Sequence, residues 1–130
     1  MYPWIVVMTP QLSGQEVLDE IYGLLLTAAS RKQPIAALYD GLPRLLCPHV
    51  LGRNKEGRFR AFCYQFGGSS GSGLRSGPEG LDEWRCLAVD KLSLVELAAG
   101  AWRTEPRSSR QHCVEKIDFD VDAQLGDNPQ

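Results

Sequence analysis

The sequence predicts a single α+β domain that is mainly β, with one N-terminal helix followed by a small, mostly antiparallel β-barrel. Apolar residues recur at helical spacing only between residues 14 and 30. From there to residue 122 the chain consists of short apolar runs, set too close together for crossover helices. We therefore expect an N-terminal extension over residues 1–12, one domain over 13–122 and a frayed tail over 123–130.

The helix is predicted from its first turn and its apolar stripe. Ser13, followed three residues later by Glu16, is a capping-box pattern, in which each side chain bonds the other residue's backbone N–H. The stripe then continues at helical spacing through residue 28. A lone amphipathic helix has no partner of its own, so the β segments must supply the rest of the core.

Six strands are predicted from the apolar runs and the turn residues between them, at residues 35–39, 44–51, 59–66, 84–89, 92–97 and 113–121. Asp40-Gly41 between the first two runs is a hairpin signal. Residues 67–80 are rich in glycine and serine and predict a mobile loop, whose glycines lack the spacing of a phosphate-binding loop.

Charge is distributed unevenly along the chain. The formal net charge is −2, which excludes a globally basic protein that coats nucleic acid. Residues 31–60, however, hold seven basic and two acidic residues, a net +5. This segment can form a local anion-binding groove, or its arginines can simply be solvated at strand edges.

The protein is expected to be cytoplasmic. No apolar run approaches the roughly 20 residues that a spanning helix needs. The apolar residues 4–8 have no preceding basic residue, and Pro10 interrupts them too early for a secretory signal. In the cytoplasm the cysteines should be reduced thiols, mostly buried within strands: Cys47, Cys63, Cys86 and Cys113.

Metal binding and catalysis are weaker interpretations of the polar residues. Cys47 and His49 lie two apart on one predicted strand, and His112 adjoins Cys113, but paired ligands on tight turns are missing. The sequence also shows no local motif for a catalytic nucleophile with a His base and an orienting carboxylate. We therefore expect no metal, no cofactor and no enzymatic activity.

Basic residues interleave with aromatic residues on the predicted strands. Arg44, Arg85 and Lys91 alternate along the chain with Tyr39 and Tyr64. Guanidinium groups beside aromatic rings suit phosphate and base contacts, which combine charge with stacking. The alternative is that the aromatic rings form the core and the arginine stems cover it.

Four segments in chain order, at residues 35–39, 44–48, 62–65 and 84–92, resemble the WYL domain. That family has a strand ending in Tyr, an Arg followed by Pro on the next strand, an aromatic strand, and a segment that contains Arg, Leu and Asp. The resemblance implies an Sm-like or SH3-like barrel. It also implies a ligand-sensing module of the kind found in bacterial transcription regulators and defence systems.

The family's basic groove is thought to bind nucleotides or short nucleic acid. In this chain the matching positions are occupied by Tyr39, Arg44, Tyr64 and Arg85. Lys91 stands where the family prefers Arg. The chain departs from the family in lacking the Trp-Tyr-Leu run, in having Cys86 at an apolar position, and in showing no helix-turn-helix before the barrel.

These observations predict a free-standing, non-catalytic sensor domain. It would bind an anionic ligand, a nucleotide or short nucleic acid, through Tyr39, Arg44, Tyr64, Arg85 and Lys91. The alternative is a protein-interaction module or a homodimer that offers an exposed strand edge to another chain.

Overall fold

The predicted helix is present as α1, Gly14–Arg31, in a computed structural model that describes residues 13–70, 73–74, 83–105 and 111–126. Both hydrogen bonds of the capping box form: Ser13 N donates to Glu16 Oε1 at 2.8 Å, and Glu16 N donates to Ser13 Oγ at 3.1 Å. The helix ends at Lys32, which adopts the left-handed conformation. Its buried residues face the sheet and form one side of the core: Tyr22, Leu25, Ala28 and Ala29.

In the described residues, all the strands pair antiparallel in a seven-stranded sheet. They are β1 Ile35–Tyr39, β2 Leu42–Arg53, β3 Phe59–Ser70, β4 Gly73–Leu74, β5 Glu83–Ala88, β6 Leu92–Leu97 and β7 Lys116–Asp120. A 3₁₀ turn, Val89–Lys91, joins β5 to β6, and a short helix, α2 Val121–Gly126, follows β7. The mainly β, α+β class predicted from sequence is confirmed.

The sheet is an open ladder in the described residues. Its main path runs in the order β6, β1, β2 and β3. On the side of β3 away from β2, β3 pairs with β5. The long strand β2 pairs with β1 along its first half and with β7 along its second half. No ladder between β5 and β6 closes it into a barrel within the described residues.

The prediction of a glycine-rich loop is wrong for its first residues. Part of the predicted glycine-rich loop, residues 67–70, belongs to β3, because its pairing with β2 continues through Leu45 with Gly67 and Arg44 with Gly68. Gly68 has φ +96°, and a side chain there would collide with the carbonyl of Pro43, so glycine permits this close approach. Residues 71–72 and 75–80 of that predicted loop lie outside the described residues.

Residues 123–126 of the predicted frayed tail belong to the helix α2. Asp120 Oδ1 accepts a hydrogen bond from Asp122 N at 2.9 Å, and the buried side chain of Val121 anchors the first turn to the core. Residues 127–130 and the predicted extension over residues 1–12 lie outside the described residues. The last strand is also shorter than predicted, since it starts at Lys116 rather than residue 113.

The sheet has two covered faces. The inner face packs against α1 and carries the main core, with Leu46, Cys63 and Leu87 among its residues. The outer face carries a smaller cluster of aromatic residues around the buried His49. We call these rings the outer cluster: His49, Phe62, Tyr64, Trp84 and Trp102.

The prediction that the cysteines are reduced is wrong for one pair. Cys86 of β5 and Cys113, ahead of β7, form a disulfide with a Cα–Cα distance of 6.1 Å. Sequence separation hid this pair, because only the folded chain brings residue 113 over β5. Cys47 and Cys63 are free and buried, as predicted.

Among the described residues, none of the helices is both long and apolar enough to cross a bilayer.

Candidate functional site

A row of polar side chains crosses the inner face at one end of the main core. It consists of Tyr39 on β1, Arg44 on β2, Gln65 on β3 and Arg85 on β5, and we call it the polar row. Arg44 lies directly opposite the core residue Ala37, and Arg85 lies opposite the core residue Cys63. Cross-strand partners share a face, so both guanidinium groups project from the inner face.

Arg44 is the most buried charge of the row, with 6% of its surface exposed. Its Nη1 donates to Gln65 Oε1 at 2.9 Å. Its Cζ lies 5.2 Å from the centroid of the Tyr39 ring, within range of a cation–π interaction. A buried guanidinium is costly unless it is hydrogen-bonded, so these contacts hold the group in one orientation.

The turn between β1 and β2 sets this arrangement. Asp40 has φ +53° and Gly41 has φ +81°, the left-handed pair that a two-residue hairpin turn requires. The turn pairs Tyr39 with Leu42 and therefore Ala37 with Arg44, which leaves the Tyr39 ring diagonal to the guanidinium. The hairpin signal in the sequence is confirmed.

Tyr39 also connects strands that do not pair. Its hydroxyl accepts a hydrogen bond of 3.0 Å from the backbone N–H of Ala88, the last residue of β5. In the ladder β1 and β5 are separated by β2 and β3. One side chain can bridge them only if the sheet is strongly curved around the inner face.

Lys91 lies at the rim of this face, in the 3₁₀ turn beside the end of β1. Its Nζ is 3.8 Å from Asp40 Oδ2, and both side chains are at least half exposed. Its carbonyl accepts a hydrogen bond of 3.1 Å from Asp40 N. The backbone bond fixes the turn, whereas an exposed ion pair contributes little and can be exchanged for another anion.

Tyr64 does not join the other four predicted site residues. It lies opposite Cys47 and Trp84 on the outer face, and its ring is 5.1 Å from that of Trp84. Side chains alternate along a strand, so the inward position belongs to the next residue, Gln65. Sequence reasoning missed Gln65, for which the only signal was its position two residues from Cys63.

The outer cluster surrounds His49, of which 1% is exposed. The rings of Trp84 and Trp102 lie with their centroids 4.7 Å from the imidazole, and Nδ1 is 2.7 Å from the carbonyl oxygen of Cys47. The imidazole therefore packs as part of a core. No group of three or more candidate metal ligands occurs in the part of the chain that the structure describes.

The Cys47 thiol lies at the edge of the same cluster. Its Sγ accepts a hydrogen bond of 3.3 Å from the backbone N–H of Arg103. Burial raises the pKa of this thiol, and the Arg103 N–H opposes the rise only in part. Burial likewise raises the pKa of the Cys63 thiol on the inner face. Both are packed thiols rather than activated nucleophiles.

A cleft lined in part by basic residues lies at the start of α1. It has a volume of about 230 Å³, and Arg53, Arg58 and Phe59 are among its lining residues. Arg58 Nη1 is 3.9 Å from Asp90 Oδ2 in an exposed ion pair. Sequence analysis did not predict this cleft, and its positive charge is partly balanced by Asp90.

The polar row thus unites Tyr39, Arg44 and Arg85, with Lys91 at its rim and Tyr64 on the opposite face. Two guanidinium groups on one face, one of them beside an aromatic ring, can bind an anion by charge, hydrogen bonding and stacking. Comparisons of this chain with protein-family models, with curated proteins and with solved structures found no match.

Proposed function

We propose that this protein is a non-catalytic sensor that binds an anionic ligand, a nucleotide or a short oligonucleotide, at the polar row. One observation carries the proposal: Arg44 is held in place by the Tyr39 ring and the Gln65 amide on the same face as Arg85. A preorganised guanidinium loses little entropy on binding, which favours the bidentate recognition of phosphate.

The proposed site differs from the sequence-based prediction at two positions. Gln65 enters it, because its amide orients Arg44. Tyr64 leaves it, because its ring packs on Trp84 at the outer face. Lys91 remains at the rim, where a ligand phosphate would replace its exposed contact with Asp40.

We further propose that the curved sheet acts as a small Sm-like barrel of the WYL type. The bond from Ala88 N to the Tyr39 hydroxyl supports this, since it links strands that lie at different places in the ladder. The 3₁₀ turn between β5 and β6 also brings the outermost strands of the β6–β1–β2–β3–β5 path together at one end. In that family the barrel senses a ligand and regulates transcription, and we propose the same class of role here.

The experiment that tests this function is a binding titration of fluorescent single-stranded oligonucleotides and cyclic nucleotides, followed by anisotropy. The test variant is Arg85→Ala, because Arg85 is half-buried and takes no part in the hydrogen bond between Arg44 and Gln65. Lys55→Ala is the matched control, since it removes one exposed positive charge in the turn between β2 and β3. Weaker binding for Arg85→Ala alone supports the proposal, and no binding by the wild-type protein refutes it.

A second candidate function is self-association through β6. Within the described residues, the edge of β6 away from β1 pairs with no further strand. Leu94 on this strand is 76% exposed. It lines an apolar groove of about 410 Å³ together with Leu38 and Leu45. Light scattering after size-exclusion chromatography tests this, with Leu94→Asp expected to convert a dimer to a monomer. A wild-type monomer at all concentrations removes this candidate.

We also propose a cytoplasmic location. In that reducing compartment the Cys86–Cys113 disulfide would be exposed to thiol reductants, since disulfides persist mainly in oxidising environments. Trapping the cysteines with iodoacetamide during cell lysis tests the location. A pair found fully oxidised in living cells would favour an oxidising compartment instead.

A further inference from the structure

The outer cluster is covered by irregular chain rather than by a helix. Trp102 and Arg103, after β6, lie over it: the Trp102 ring packs on His49, and the Arg103 guanidinium lies 4.7 Å from the Phe66 ring. Residues 111–115, ahead of β7, contact the same face at Cys86 and Gly52. We call residues 111–115 the crossing segment.

The crossing segment is anchored to two strands of the sheet, β2 and β5. At its C-terminal end, Glu115 N donates to Arg53 O at 2.7 Å, and the buried Val114 packs against Gly52 so closely that any side chain there would collide with it. Gln111 bonds Val114 with both its amide nitrogen and its amide oxygen, so these bonds stay within the segment. Toward β5, the covalent anchor is the disulfide from Cys113.

We propose that the Cys86–Cys113 disulfide is a redox-cleavable clasp, and that Cys86 is the site at which a low-molecular-weight thiol attacks it. Cys86 is exposed on the outer face of β5, opposite Phe62. Reduction releases the crossing segment from β5 and uncovers this edge of the outer face. The main core stays folded, because α1 and the inner-face side chains pack independently of this segment.

The chemistry is ordinary thiol–disulfide exchange with two equivalents of a thiol such as glutathione. The first thiolate attacks Cys86 Sγ, breaks the S–S bond and releases the Cys113 thiolate, which takes up a proton. A second thiolate attacks the mixed disulfide at its external sulfur and releases Cys86 as a thiol. The protein disulfide gains two electrons, and the two small thiols leave as one disulfide.

The prediction follows from which contacts depend on the clasp. In the reduced protein the amide hydrogens of Val114 and Glu115 lose protection, because their bonds to Gln111 Oε1 and Arg53 O lie within two residues of Cys113 and open more often once the link to β5 is cut. The amide of Ala61, in the centre of β3, keeps its protection, because it lies in the main core. This inference does not depend on the anionic ligand, so either proposal can fail without the other.

The test is hydrogen–deuterium exchange with mass spectrometry on the full chain, with and without reduced glutathione. We expect exchange at residues 114–115 to rise about tenfold or more on reduction, while β3 is unchanged. Native alkylation with iodoacetamide should then add two adducts, at Cys86 and Cys113, and none at the buried Cys63. The double variant Cys86→Ser/Cys113→Ser should match the reduced protein whether or not glutathione is present.

Three outcomes would overturn the proposal. In the first, both Cys86 and Cys113 are alkylated in the protein purified without reductant, so that no clasp exists. In the second, residues 114–115 exchange at the same rate in both redox states. In the third, Cys63 and the β3 amides lose protection together with the crossing segment, because the opening would then be global unfolding rather than release of one segment.

Discussion

The hydroxyl of Tyr39 accepts a hydrogen bond of 3.0 Å from the backbone N–H of Ala88, and its ring lies 5.2 Å from Cζ of Arg44. One side chain therefore links the end of β5 to the first half of β2. The bond spans the curve of the sheet around the inner face, and the ring orients the most buried charge on that face. The same residue thus contacts both the end of β5 and the buried cation.

Tyr39→Phe should separate these two roles. The substitution removes the acceptor for Ala88 N–H but keeps the ring beside Arg44. We expect a loss of about 1–2 kcal/mol in the free energy of unfolding, the usual cost of leaving a partly buried donor without its partner. Urea denaturation followed by circular dichroism measures it. Tyr39→Leu should cost more, because the cation–π contact is lost as well, and equal losses for the two variants would argue against that contact.

The bond between Arg44 and Gln65 should show strong coupling in a double-mutant cycle. Gln65→Leu removes the acceptor of the hydrogen bond from Arg44 Nη1, so we expect a loss of roughly 1–3 kcal/mol in the free energy of unfolding. Arg44→Met removes the charge. The double variant should therefore be less destabilised than the sum of the single variants, and additive losses would show that the two side chains do not interact.

Stability should fall at alkaline pH because of Tyr22. Its hydroxyl donates to Asp118 Oδ2 at 2.7 Å, and burial, then this hydrogen bond, raise the pKa of Tyr22 above its ordinary value of 10.0. A raised pKa in the folded state means that the contribution is complete below pH 10 and declines as the pH rises further. Chemical denaturation at a series of pH values measures this decline. The Tyr22→Phe variant should lack the part of this decline that comes from ionisation of Tyr22. An identical pH profile for the variant would contradict the assignment.

Loss of the disulfide should destabilise the protein through the unfolded chain. Cys86 and Cys113 are 27 residues apart, and the chain-entropy estimate for a loop of that size is about 3–4 kcal/mol. Urea denaturation of the Cys86→Ser/Cys113→Ser variant measures the loss. Cys47→Ser is the control for a single free cysteine. A double variant as stable as the oxidised wild-type protein would show that the two cysteines are not joined.

The local elements were predictable because their signals are local. The capping box at Ser13 and Glu16 and the Asp40-Gly41 turn each act within a few residues, and both are present in the structure. Gly67 and Gly68 predict a loop because glycine disfavours strands in general, whereas in the structure they permit close pairing of β3 with β2.

The site was predictable only in part. Arg44 and Arg85 share a face through strand pairing, which a resemblance in chain order can suggest. Tyr64 and Gln65 differ by one position, and the face of each depends on the register and on the bulge at Leu45 and Leu46. The Cys86–Cys113 pair depends on a long-range crossing of the chain, for which the sequence holds no spacing rule.

The salt dependence of oligonucleotide binding tests the central claim most directly. If Arg85 contacts a ligand phosphate, the slope of log K against log salt should be flatter for Arg85→Ala than for the wild-type protein, by about 0.7 for a single strand. Lys55→Ala should retain the wild-type slope. Equal slopes for all three proteins, or no binding at low salt, would contradict the assignment of the polar row as an anion-binding site.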